Sequence, residues 1–72
     1  MEKEKVLIKI GLRIKELRES KNMTQQELAY RCNFEKSNMN RIEAGRSNLT
    51  IGTLLKICHA LEVKLVDVVN VE

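Results

Sequence analysis

Proline is missing from the 72 residues and glycine occurs three times, so the chain carries few enforced breaks. That excludes a collagen-like repeat, a proline-rich linker or a glycine-rich disordered tail. Aromatic side chains are nearly absent as well: Tyr30 and Phe34 stand alone. Proteins that hold single-stranded nucleic acid stack bases on several exposed rings, and two rings make a poor platform. The two cysteines, Cys32 and Cys58, have no paired spacing, and the opening run Met1 to Lys5 is charged rather than apolar. Neither a disulfide framework nor a secretory leader is expected, and a reducing cytoplasm fits best. The apolar stretch Val6, Leu7, Ile8 is cut by Lys9 and is far too short for a bilayer, so no membrane partner is expected. A chain of this length builds one core, giving a single domain over 1–72 with little wall for a deep substrate pocket.

Charge and apolar content are what the chain does have. With 43% hydrophobic and 32% charged residues it reads as a folded, helical domain. Thirteen Lys and Arg against ten Asp and Glu leave a net charge of +3, so its placement matters more than its total. Between residues 31 and 56, Arg31, Lys36, Arg41, Arg46 and Lys56 face only Glu35 and Glu43. Beyond residue 56, Lys64 stands against Glu62, Asp67 and Glu72. A basic middle and an acidic tail suit a polyanion met through one face, although scattered solvated charges would give the same count.

Apolar residues at Val6, Ile10, Ile14 and Leu17 recur every three or four positions and predict a first amphipathic helix from Val6 to Lys21. Leu7, Ile8 and Leu12 widen its stripe, through a broader core contact or through contact with a partner chain or the C-terminal segment. Thr24 followed by Glu27 spells a capping box and starts a second helix with Leu28, Ala29 and Cys32 inward. Asn33 tolerates a left-handed backbone and can end that helix abruptly. A third helix is predicted from about Glu35 to Ala44, with Met39 and Ile42 inward and Gly45 as its stop. After the polar loop Arg46, Ser47, Asn48, Thr50 caps a fourth helix whose apolar set is Leu54, Leu55, Ile57, Cys58 and Leu61. Val63 to Val71 is helix or strand by propensity; with no strand available to pair with it, context favours helix.

Two helices joined by so short a turn need a small residue at their approach, a left-handed residue four positions later, and apolar anchors beyond. Ala29, Asn33, Met39 and Ile42 meet those demands together, within a unit of about 24–46. With these residues placed, the chain resembles the phage-repressor and Cro-like helix-turn-helix family, also called the XRE family, over roughly residues 8–70. The matching stretches are Arg13 to Arg18, Met23 to Ala29, Asn40 to Arg46 and Thr53 to Leu61. The resemblance implies an all-α, five-helix, lambda-repressor-like domain that regulates transcription by binding double-stranded DNA as a homodimer on a palindromic operator. With no effector domain in the 72 residues, it extends to small stand-alone members such as restriction-modification controller proteins and antitoxins. The chain departs from the family's habit at Asn33, where glycine is usual, and at Leu49, where proline is frequent.

With Met39 and Ile42 inward, Lys36, Ser37, Asn40 and Arg41 fall on the outer face of the third helix and are the expected base readers. Lys36 and Arg41 suit guanine O6 and N7, Asn40 suits adenine N6 and N7, and Ser37 suits a base or a phosphate. Glu35 could accept from a cytosine amino group or simply favour the helix dipole. Gln25, with the free N–H groups of its helix start, and Arg46, Ser47 and Asn48 are the expected phosphate contacts, while Lys56 and Arg13 read as solvated surface charges. The resemblance pairs Arg18 with Glu43 as a structural salt bridge. Leu65, Val66, Val69 and Val71, in a segment of about 63–72, offer more apolar surface than a monomer needs and are the expected dimer interface. Cys32, Cys58 and His59 fall short of a four-ligand zinc set, and the chain has no nucleophile elbow, phosphate loop or metalloprotease pattern. No enzyme activity, metal or cofactor is expected. The reading from a different class is an antitoxin-like protein-interaction module that keeps the fold without DNA binding; a basic outer face on the third helix counts against it.

Overall fold

The computed structural model describes residues 2–71, so Met1, at the head of the N-terminal run, and Glu72, the last charge of the acidic tail, lie outside the described residues. Five helices follow one another: α1 (Lys3–Ser20), α2 (Gln25–Cys32), α3 (Lys36–Glu43), α4 (Ile51–Leu61) and α5 (Leu65–Val69). No strand occurs among the described residues, and the segment that propensity left open is helical at α5. There the Asp67 carboxylate accepts the Lys64 N–H at 2.9 Å, occupying a donor that the helix start leaves free.

α1 begins three residues before the apolar periodicity. Lys3, Glu4 and Lys5 are good helix formers, and the Val6 N–H already reaches the Glu2 carbonyl at 3.1 Å. The Thr24 hydroxyl accepts the Glu27 N–H at 3.0 Å, but the other half of the predicted capping box does not form. Instead the Glu27 carboxylate takes Arg31 at 2.8 Å, one turn along the same helix. Asn33 closes α2 at φ 60°, and Gly45 follows α3 at φ 75°. A fourth-helix cap forms at Thr50, whose hydroxyl accepts the Thr53 N–H at 3.1 Å.

Ile14, Leu28, Met39, Ile42, Ile57, Leu61 and Val68 are fully buried and bring all five helices to one core. Each side chain of this kind contributes roughly 1.5–3 kcal/mol when removed from water. α2 packs on α3 and α4, while α1 packs on α3 and α5. The crossing of α1 over α3 depends on Gly11. A Cβ there would stand 2.5 Å from the Glu43 carbonyl oxygen and 2.6 Å from that of Ile42, so the two backbones touch directly.

Two expectations are corrected and one that stood open is narrowed. Leu55 is not part of the core: it is 51% exposed on the outer side of α4, one turn from Ile51, which is also exposed. The wide stripe of α1 is only partly absorbed by the core, since Leu7 is half-buried whereas Ile8 and Leu12 remain exposed. Arg13 and Lys56 are not simply solvated. Arg13 Nε donates to the Asp67 carbonyl at 2.7 Å and ties α1 to α5. Lys56 Nζ sits 5.7 Å from the centre of the Phe34 ring, within reach of a cation–π contact between α4 and the α2–α3 turn. Leu49, where the family often has proline, packs against the core instead.

Candidate nucleic-acid interface

α3 divides into two faces. Met39 and Ile42 are buried against α1 and α2, whereas Lys36, Ser37, Asn40 and Arg41 all project to the exposed side. The helical period sets this division, because Lys36 and Asn40, like Ser37 and Arg41, are four residues apart and lie one above the other. Glu35 occupies the cap position with its side chain exposed and makes no capping bond. Arg46 and Asn48 are exposed in the following loop, with Ser47 half-buried between them. The start of α2 lies beside this face, and an open groove of about 690 Å³ runs between α1, α2 and α3, lined among others by Lys15, Gln25, Gln26, Lys36 and Asn40.

Beneath this surface is an ion pair. Arg18 is 8% exposed and Glu43 7%, and the guanidinium grips the carboxylate with two bonds, Nε to Oε2 at 2.7 Å and Nη2 to Oε1 at 3.1 Å. The remaining donor, Nη1, reaches the Met23 carbonyl at 2.7 Å. Hydrogen bonding to Glu43 holds the Arg18 pKa above its ordinary value, against the opposing effect of burial. One guanidinium therefore fixes the end of α1, the α1–α2 turn and the end of α3 relative to one another.

Gln25 departs from its expected place. Its Nε2 donates to Glu43 Oε1 at 3.0 Å, and its Oε1 accepts from Asn40 Nδ2 at 3.4 Å. The side chain is thus engaged within the protein. Thr24 takes the Glu27 N–H, and the N–H groups of Gln25 and Gln26 are the ones that a helix start leaves without intrahelical acceptors. At the far side of α3, Arg41 Nη2 donates to Asn38 Oδ1 at 3.4 Å.

At the C-terminal end, Val66 is 56% and Val69 37% exposed, whereas Leu65 and Val71 lie half-buried against the chain's own core. The two cysteine thiols are buried, and burial raises both pKa values; Lys56 partly offsets this at Cys32, and Asp67 adds to it at Cys58. His59 is exposed, and no group of three or more metal-ligating side chains occurs among the described residues. No helix among them is long and apolar enough to cross a membrane.

Sequence reading missed Gly11, the Arg13 tie to Asp67 and the inward role of Gln25. A glycine inside an amphipathic helical pattern was the available signal for the first. The other two depend on how distant helices cross and left no local pattern.

A capped helix pair with a left-handed turn between, one sealed face and one polar outer face define a Cro-like helix-turn-helix domain. The chain belongs to the helix-turn-helix family: the family model HTH_3, described as helix-turn-helix, matches residues 14–68. This is a family of DNA-binding transcription regulators of the XRE type. The chain is 35% identical over 61 residues to an uncharacterized HTH-type transcriptional regulator, y4dJ, of Sinorhizobium fredii, covering 85% of this chain and 79% of that one. It is 33% identical to the control protein C.BamHI of Bacillus amyloliquefaciens, over 83% of this chain and 75% of the other. Among solved structures, the restriction-modification controller protein C.AhdI of Aeromonas hydrophila superposes with a TM-score of 0.89 at 28% identity, covering 94% and 99% of the two chains.

Proposed function

We propose that the chain is a sequence-specific regulator that docks α3 in the major groove of double-stranded DNA and acts as a homodimer on a palindromic operator. The observation that carries this reading is the outer face of α3. Lys36, Ser37, Asn40 and Arg41 are exposed and polar on a helix whose opposite face is sealed. Lys36 and Arg41 are assigned to guanine edges, Asn40 to adenine, and Ser37 to a base or a phosphate. Phosphates are assigned to the N–H groups at the start of α2, including that of Gln25, and to Arg46, Ser47 and Asn48. The pair Arg18 and Glu43 holds this surface without touching the duplex. Exposure of Val66 and Val69 supports a second copy meeting the α5 end, with Leu65 and Val71 at the margin of that contact. Similarity to controller proteins supports a role in regulating transcription.

The test is selection of bound duplexes from a random pool by the purified chain. A palindrome with half-site centres about 34 Å apart is expected. The log of affinity should fall with the log of salt at a slope near −6, on the order of six to eight phosphate contacts per dimer. Failure to retain any duplex would favour a protein-interaction module that has kept the fold alone.

A further inference from the structure

We infer that Gln25 is a specificity-determining positioning residue: the buried Glu43 carboxylate sets the direction of its amide, and through it the hydrogen-bonding face that Asn40 presents to a base. This rests on the proposed reading of Asn40 as a base contact and extends it to a residue that need touch no base.

The polarity of the chain of bonds follows from chemistry. Both oxygens of the Glu43 carboxylate accept from the Arg18 guanidinium, so the amide edge of Gln25 that meets Oε1 at 3.0 Å must be the nitrogen. The Gln25 oxygen is then forced to the outer side, where it can only accept. The edge of Asn40 that meets it at 3.4 Å must in turn be the nitrogen. One proton of Asn40 Nδ2 is thereby committed to Gln25, while the second proton and the Oδ1 acceptor stay free on the exposed face. A free N–H beside a free carbonyl oxygen is the pair that adenine N7 and N6 require, and the reversed amide would present its edge to Gln25 unpaired. The order from the core outward is Met23 carbonyl, Arg18, Glu43, Gln25, Asn40. Arg18 donates at both ends, to the Met23 carbonyl and to Glu43; Glu43 accepts from both of its neighbours, and from there outward each amide donates toward the core.

Gln25 sits at the first turn of α2 and Asn40 in the middle of α3, so the relay crosses the turn between the two helices. The amide of an isolated, exposed asparagine turns over freely. Here the Gln25 oxygen offers the Asn40 nitrogen a partner before any duplex arrives, which favours one direction of the amide and lowers the ordering cost of a bidentate contact.

The test uses the full chain on operator duplexes that differ only at single symmetric base pairs. Asn40→Ala should flatten preference at one pair from roughly 5- to 100-fold down to near unity. Gln25→Met, which keeps the length of the side chain and removes both polar atoms, should erase most of the preference at that same pair and leave the others intact. Gln25→Ala should do the same, and circular dichroism would show that both variants are folded. Added to Asn40→Ala, either change should have no further effect on selectivity. A uniform loss of affinity on every duplex would overturn the inference, since it would make Gln25 a phosphate contact. Unchanged selectivity in the Gln25 variants, with Asn40→Ala flattened, would overturn it too. If Asn40→Ala itself left every preference unchanged, the base-reading role of Asn40 would fall first and the relay with it.

Discussion

α3 exposes Lys36, Ser37, Asn40 and Arg41 over a sealed layer of Met39 and Ile42, whereas α4 and α5 expose Ile51, Leu55, Val66 and Val69 over an equally sealed layer of Ile57, Leu61 and Val68. The cores beneath are alike; the outer surfaces are opposite. Polar side chains on α3 lose nothing by standing in water and suit a hydrated, charged ligand. Apolar side chains on α4 and α5 each forgo part of the roughly 1.5–3 kcal/mol that full burial would give, and they suit an apolar cover. Rigidity differs as well, because the α3 side is locked to α1 by a buried ion pair and by backbone contact at Gly11.

The largest break in this contrast should come from the ion pair. Arg18→Ala or Glu43→Ala leaves a buried charge without its partner and should cost about 3–5 kcal/mol, read as a lowered melting temperature. The double variant should lose less than the sum of the two, and additive losses would mean that the pair contributes no coupling.

That pair lay within reach of the sequence because Arg18 and Glu43 sit in stretches matching a known family. Local chemistry also made Thr24, Asn33, Met39 and Ile42 readable, each through its own cap, turn or period. Leu55 was misplaced because α4 carries apolar residues on two faces, Ile51 and Leu55 on one and Leu54, Ile57 and Leu61 on the other. Periodicity alone does not say which face meets the core. Gln25 was assigned to phosphate because helix starts commonly bind anions. Its turn toward Glu43 depends on the distance between the starts of α2 and the end of α3, which no run of residues encodes.

A smaller break should come at the helix crossing. Gly11→Ala should cost about 1–3 kcal/mol, as a Cβ is forced against the carbonyls of Ile42 and Glu43. Gly52→Ala is the control: its Cβ would meet only the Thr50 hydroxyl at 3.8 Å, so higher helix propensity should stabilise the chain by about 0.5–1 kcal/mol. Chemical denaturation of both variants measures the difference.

The exposed apolar residues of α5 should respond in another way. Val66→Asp should leave stability of the isolated chain within about 0.5 kcal/mol, since the side chain is exposed, yet shift the protein toward monomer in sedimentation. An unchanged sedimentation profile would place the partner contact elsewhere.

The smallest effect concerns pH and involves the two buried thiols, Cys32 on α2 and Cys58 on α4. Burial raises both above the ordinary value near 8.5, so the unfolded chain gives up its thiol protons first as pH rises. The stability tied to these groups is complete below that value and declines through the alkaline range, where the unfolded state binds fewer protons. Denaturant midpoints compared at neutral and alkaline pH should fall more steeply than in a Cys32→Ala, Cys58→Ala chain.

The bare backbone contact at Gly11 has a practical consequence. Because α1 meets α3 at the carbonyls of Ile42 and Glu43 and at the inward side chains of that helix, the exposed residues at 36, 37 and 41 have no packing duty to honour and are exchangeable. Retargeting to new operators could proceed by substitution at those three positions alone, on an unaltered scaffold. Position 40 is the exception, tethered to its neighbour at 25, and those two would have to be changed together.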